Sequence, residues 1–245
     1  MLVILSIQPL INDKVIWRAR DLEHSVDHCS VTGIPTGFKD LDRLLYGGGW
    51  PRDALVEVFF ENYGCGELRL LIPGLRSLLA AETRWIVWVN PPFIPYSPAL
   101  KTLEIDVNRV LLVHPQNHKE ALWATEKILE SGSCSAALLW LSEEELDSKQ
   151  LRRIQTRAKE GRVCTILFRP LRATKQFSPA ELRLCIESKK VSLKDEITLS
   201  ILKRKGGWQV NNIHLPLLWQ PAELTREYLT ARWQQWRELR NKEKP

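Results

Sequence analysis

Five apolar runs punctuate the first two thirds of the chain: ALVEVFF (54–60), RWIVWV (84–89), RVLLVH (109–114), SAALLWL (135–141) and VCTILF (163–168). They are near-continuous rather than alternating, the pattern of strands buried on both faces. Segments 67–82, 97–104, 117–131 and 143–160 between them carry apolar residues at helical spacing. Strand and helix in alternation predict right-handed βαβ units and an α/β fold with a mainly parallel central sheet flanked by helices. The pattern then changes. ELRLCIES, EITLSILKRK and WQVNNIHL alternate with period two and have no helix between them, which predicts an antiparallel extension on the C-terminal side. Ahead of the first strand, Phe38, Leu41, Leu44 and Leu45 mark a helix over 37–45 that YGGGWP stops.

Three regions follow from this pattern. Residues 1–35 read as an N-terminal element and a linker broken by Gly33 and Pro35. Residues 36–215 form the core. Residues 216–245 form a C-terminal amphipathic helix and basic tail, with Leu224, Tyr228, Leu229, Trp233, Trp236 and Leu239 on the apolar stripe.

Composition narrows the function only slightly. At 245 residues and 44% hydrophobic, one α/β core with appendages is the economical reading. The net charge of +6 is compatible with nucleic acid or an acidic partner without singling either out. Five cysteines with no CxxC pair predict reduced, buried thiols in the cytosol rather than a disulfide framework or zinc ribbon. No stretch reaches the length of a membrane span.

The segment FFENYGCGELRLL (59–71) carries the most pointed chemistry. A strand running through glycines into a helix is how phosphate loops are built, with a lysine after the last glycine and then a hydroxyl for Mg²⁺. Here Gly64 and Gly66 supply the turn, but Glu67 stands at the lysine position and Leu68 at the hydroxyl position. A carboxylate about 4 Å from a phosphate oxygen repels it by about 4 kcal/mol at an effective dielectric of about 20. The Mg²⁺ aspartate expected after strand 135–141 is replaced by Ser142, with Glu143 next, and NPP (90–92) stands where a water-activating acid belongs. The loop reads as a degenerate nucleotide site without ATPase activity and without a cofactor.

Other candidates are weaker. Lys203, Arg204 and Lys205 end a predicted strand and read as a solvated basic strand end, with DNA contact less favoured because no interleaved aromatics form a stacking platform. Arg152, Arg153 and Arg157 form a basic face opposite Leu151, Ile154 and Ala158, which fits a wet helix better than a phosphate site. Of ten tryptophans, Trp85 and Trp88 fit a buried strand, whereas Trp233 and Trp236 suit a partner surface or fold back on the sheet. Neither His114 with His118 nor His24, His28 and Cys29 completes a four-ligand metal set.

TGFKDLDRLLYGGGWPRDALVEVFF (36–60) resembles the approach to the ATP-binding core of RecA recombinases. The run from VIWRA (15–19) through GGGWP, RWIVWVNPPFIPYSPAL (84–100), LRRIQTRAKEG (151–161), LFRP (167–170) and LKRKGGW (202–208) is similar to the ImuA family of translesion-synthesis accessory proteins, related in turn to the SulA cell-division inhibitors. That resemblance implies a RecA-like core whose ATP site is lost, and it offers Lys203, Arg204 and Lys205 as an old protomer interface, since lysines near this point in RecA-like ATPases reach the nucleotide of the neighbouring subunit, a reading of equal weight to the solvated strand end. It also implies a non-catalytic scaffold of SOS-induced, error-prone translesion synthesis in the bacterial cytoplasm, at or near the nucleoid. The implied partners are RecA, an ImuB-type Y-family polymerase homologue and an error-prone replicative-type DNA polymerase, with DNA contacted only indirectly or weakly and no membrane. The alternative is a SulA-like inhibitor that binds the tubulin-like division protein FtsZ. Its resemblance covers only the middle of the chain.

Overall fold

The computed structural model describes residues 32–187 and 196–217. The expected N-terminal element, the His24, His28 and Cys29 set, and the C-terminal helix with Trp233 and Trp236 lie outside the described residues. Eight strands form one sheet: β1 (Leu55–Phe60), β2 (Trp85–Val89), β3 (Val110–Val113), β4 (Cys134–Leu139), β5 (Cys164–Pro170), β6 (Leu182–Glu187), β7 (Glu196–Lys203) and β8 (Val210–Pro216), in the order β3-β2-β4-β5-β1-β6-β7-β8.

Helices cover both faces because the strands are apolar on both. Val56, Val58 and Phe60 of β1 point into one layer with Leu70, Leu71, Leu75 and Leu78 of α2 (Glu67–Ala81). The short helices α1 (Lys39–Leu44) and α3 (Ser97–Thr102) contribute Leu41 and Leu100 to that layer. Leu55 faces the opposite layer with Leu122 and Leu129 of α4 (His118–Ser131) and Leu151 and Ile154 of α5 (Ser148–Gly161). Helix α5 starts at Ser148 rather than 143 because Asp147 and Gln150 close a capping box. Among the described residues no helix is long and apolar enough to cross a membrane.

The expected RecA-like core, with a mainly parallel sheet and a separate antiparallel extension, is corrected. The sheet is a single mixed one, in which β7 pairs antiparallel to β6 and β8 pairs antiparallel to β7. These strands are not an appendage: Leu199 and Ile201 are fully buried and sit in the same layer as Val58 and Leu71. The short β7–β8 connection, residues 204–209, leaves no room for the crossover helix that parallel pairing requires.

A second correction concerns 109–114, expected to be buried on both faces. After β3 the chain crosses back over β2 to place β4 on its far side, which leaves β3 at the sheet edge with all four residues partly or largely exposed. The composition of VLLV is that of a central strand, so periodicity could not distinguish the two. Trp85, read as buried, is 44% exposed at the start of β2, whereas Trp88 is buried.

Candidate protein-docking site at the carboxyl ends of the strands

The degenerate loop is closed by its own side chain. Gly64 and Gly66 both adopt the left-handed backbone, with φ of 82° and 101°, and Gly66 caps α2. The Gly64 N–H is shared between Glu67 Oε1 at 3.0 Å and Oε2 at 3.1 Å, and the Cys65 thiol lies 3.6 Å from Oε2. The carboxylate thus sits at the positive end of a helix, where a phosphate loop would hold its ligand. Only 6% of Glu67 is exposed. A Cβ on Gly66 would approach Leu217 Cδ1 to 2.8 Å and Ile197 Cγ2 to 2.9 Å, so the C-terminal strands pack directly against the turn. Leu68, in the hydroxyl position, packs against the core. Burial and then the charge and hydrogen bond of Glu67 push the Cys65 thiol up to about 12. Burial and the same charge raise Tyr63 above its ordinary value.

Glu143, the first acid after β4, is consumed by the fold. Arg169, at the end of β5 and 1% exposed, donates to Glu143 from Nε at 2.9 Å and from Nη2 at 2.6 Å. Its Nη1 donates at 2.8 Å to Glu57, a fully buried carboxylate in the middle of β1. Arg183 Nε and Ser178 Oγ complete Glu57 at 2.7 and 2.8 Å. Burial opposes the Arg169 charge, but the hydrogen bonds and charges of Glu143 and Glu57 outweigh it and raise its pKa. Two arginines and two glutamates balance, which is what lets four charges leave water. Sequence reading missed this cluster, although a Glu inside LVEVFF and an Arg inside TILFRP are charges on otherwise buried strands.

Beside the closed loop, aromatic rings form a continuous ladder. Trp88 packs on Trp140 at 5.7 Å between centroids, Trp140 stacks on Phe168 at 4.6 Å, and Phe168 meets Phe60 at 6.0 Å. Phe60 contacts Tyr63 at 5.2 Å, and Tyr63 contacts Phe93 at 5.9 Å. The inner rungs are buried. The outer ones emerge, with Tyr63 at 52%, Phe93 at 69%, Ile94 at 82% and Tyr96 at 73% exposure. Pro91, Pro92 and Pro95 restrict the loop that presents them. A pocket of about 270 Å³ lies alongside, with Phe60, Trp140 and Phe168 in its wall and Glu144 and Arg172 at its rim. Ligand pockets typically span about 300–1,000 Å³, so this one is at the small end for a small-molecule site. Ring-rich, rigid and exposed, this cap has the composition of an interface centre. Its signal was present in the sequence as an apolar pair between prolines, NPPFIPYS, a poor candidate for core.

The remaining expected residues are placed elsewhere. Lys203 Nζ donates to Ser178 O at 3.1 Å, Arg204 donates to Trp208 O at 2.8 Å and to Leu44 O, and Lys205 lies 4.7 Å over the Tyr46 ring. All three fasten the β7–β8 hairpin at the opposite end of the sheet. Arg152 and Arg153 are exposed on α5; Arg153 pairs with Glu126, and Arg157 pairs with Glu160 and Glu130. His114 is exposed and His118 is buried beside Gln150 at 3.5 Å. Among the described residues no three His, Cys, Asp or Glu side chains cluster as metal ligands.

The family profile described as "Cell division inhibitor SulA" matches residues 54–165, which contain the closed loop and the whole exposed cap. SulA from Edwardsiella piscicida is 30% identical over 111 residues, covering 44% of this chain and 65% of that protein. SulA from Yersinia pestis (strain Pestoides F) is 32% identical over 107 residues, covering 44% of this chain and 62% of that protein. The chain thus spans less than two thirds of the length of these relatives. A crystal structure of SulA from Pseudomonas aeruginosa aligns at 23% identity and a TM-score of 0.39, over 47% of this chain and 97% of that one. These findings overturn the expected role as a translesion-synthesis scaffold, because the matching profile and both curated relatives are described as cell division inhibitors. Through residues 54–165 the chain is related to the SulA cell division inhibitors.

Proposed function

We propose that this protein inhibits cell division in the response to DNA damage by binding the division protein FtsZ and blocking its polymerisation. The SulA match carries the reading, because it falls on the residues that build the exposed cap. Tyr63, Phe93, Ile94 and Tyr96 form the docking centre, and the protein acts by occupying a surface of its partner rather than by chemistry. Glu67 keeps nucleotide out of the loop that underlies this surface.

Sedimentation of FtsZ polymers in the presence of GTP tests the proposal. The wild-type chain lowers the pelleted fraction in proportion to its concentration, and the combined Phe93→Ala, Ile94→Ala and Tyr96→Ala variant does not. Unchanged pelleting with the wild-type chain sinks the reading. So does capture of RecA but not FtsZ on resin bearing the protein.

A further inference from the structure

The pocket beside the aromatic ladder has a charge left over. Rings of Phe60, Trp140 and Phe168 stand in its wall together with charged side chains of both signs. Most of those charges are neutralised where they lie. Arg169 and Glu143 belong to the balanced buried cluster with Glu57 and Arg183, and Arg172 pairs with Glu144 at the rim. Glu61, which directly follows the last residue of β1, is exposed, and among the described residues its side chain has neither an ion pair nor a hydrogen bond. Glu145, one residue beyond Glu144, is a second exposed carboxylate without an ion pair among the described residues.

We infer that this pocket receives an arginine side chain of the bound partner, an inference that rests on the proposed binding of FtsZ at the cap. Tyr63 joins the two surfaces, since it lines the pocket and also contacts Phe93, so a partner seated on the cap reaches the pocket mouth. Charge and rings select the occupant. An acidic side chain would meet Glu61 with only Arg172 to answer it, and Arg172 is already paired. An apolar one would cover the Glu61 carboxylate without giving it a partner, which is costly. A cation is drawn both to the carboxylate and to the ring faces. A guanidinium does this better than an ammonium, because it is flat, weakly hydrated and able to stack on a ring while it donates in a fork to a carboxylate. The fold uses the same combination a short way off, where the guanidinium carbons of Arg183 and Arg169 lie 4.8 and 5.8 Å from the Phe59 ring centroid while both arginines pair with Glu57.

Sedimentation of FtsZ polymers, read as the concentration of the full-length chain that halves the pelleted fraction, tests the inference. Glu61→Gln raises that concentration about threefold. Glu61→Lys raises it about tenfold or more, because a like charge then faces the arginine. Neither change touches a bond that the fold uses, so both variants keep the wild-type urea midpoint. Glu160→Lys makes the same charge change on an exposed residue near the end of α5, at the opposite end of the sheet, and leaves the value unchanged. Raising KCl from about 50 to about 300 mM weakens the wild type more than it weakens Glu61→Gln. On the partner's side, one FtsZ arginine, changed to alanine, makes the wild type and Glu61→Gln equally potent; if only a lysine does so, the assignment to arginine fails. Wild-type potency in Glu61→Lys overturns the inference and leaves the proposed function standing, as does equal weakening by Glu160→Lys. A wild-type chain that leaves pelleting unchanged overturns the proposed function, and the inference falls with it.

Discussion

Removing the charge of Glu67 while keeping its shape tests whether the closed loop is held by the carboxylate. In Glu67→Gln the Gly64 N–H, which now divides itself between two carboxylate oxygens at 3.0 and 3.1 Å, keeps only a neutral acceptor. Hydrogen bonds to charged acceptors contribute about 1.5–3 kcal/mol and neutral ones about 0.5–1.5 kcal/mol, so the exchange costs about 1 kcal/mol. Loss of a negative charge in the first turn of α2 adds about 0.3–1 kcal/mol. Gly64 is itself exposed, so water replaces part of what is lost and holds the total near 1–1.5 kcal/mol. Glu67→Ala removes one buried methylene as well, at about 0.8 kcal/mol, and leaves the Gly64 N–H without a protein acceptor, so it costs about 2–2.5 kcal/mol. Urea denaturation reads both values. A second readout separates this mechanism from general loosening. Glu67 raises the Cys65 pKa by its charge and hydrogen bond, so Glu67→Gln lowers it and speeds alkylation of Cys65 by iodoacetamide at pH 8. A Glu67→Gln protein as stable as wild type, with unchanged alkylation at Cys65, refutes the carboxylate as the closing group.

Further outcomes follow from the buried charges. Arg169→Met leaves Glu143 without its bidentate partner and Glu57 with only Arg183 and Ser178, which costs about 3–5 kcal/mol in urea denaturation. Glu82 accepts from Ser135 at 2.5 Å, Arg84 at 2.7 Å and Arg52 at 2.7 Å; burial opposes its charge, but these donors lower its pKa. The stability it contributes is therefore present above the unfolded-state value and lost as pH falls through the folded one. Thermal melts of wild type and Glu82→Gln differ by about 1 kcal/mol at pH 7 and converge at lower pH. Trp140→Ala removes the rung between Trp88 and Phe168 and destabilises by about 3–5 kcal/mol, measured in urea.

Much of the fold was legible because burial on both faces writes itself as continuous apolar runs. The strands at 55–60, 85–89, 134–139 and 164–170 follow directly from that pattern. Edge position did not, since VLLV is as apolar as any central strand and its place depends on where β4 is inserted. Helix α5 began late because the capping box at Asp147 overrides a periodic pattern that extends back to 143. At the site, the departure of Glu67 from a phosphate loop could be read, but the partner of its carboxylate depends on the left-handed turn at Gly64. Lys203, Arg204 and Lys205 were visible as charge without their partners, most of which, Ser178, Leu44 and the Tyr46 ring, lie far away in sequence.

In open α/β sheets ligands seat beyond the carboxyl ends of the strands, because the loops there are free to vary without disturbing the core. Here two groups fill that position. Glu67 occupies the anion seat from within, and Arg169 takes up the acid that follows β4. The same edge carries the ladder outward from Trp88 to Phe93, so the volume next to the loop is walled by Phe60, Tyr63, Trp140 and Phe168 on one side and by the paired Arg169, Glu143, Arg172 and Glu144 on the other. An open loop would be hydrated and mobile, a poor base for a rigid apolar surface. Filling it with a carboxylate fixes Tyr63, three residues before Gly66, and through Tyr63 the position of Phe93. Closure of the loop and exposure of the cap are therefore parts of one device, and Glu67→Ala should weaken partner binding along with Cys65 shielding even though residue 67 is almost wholly buried.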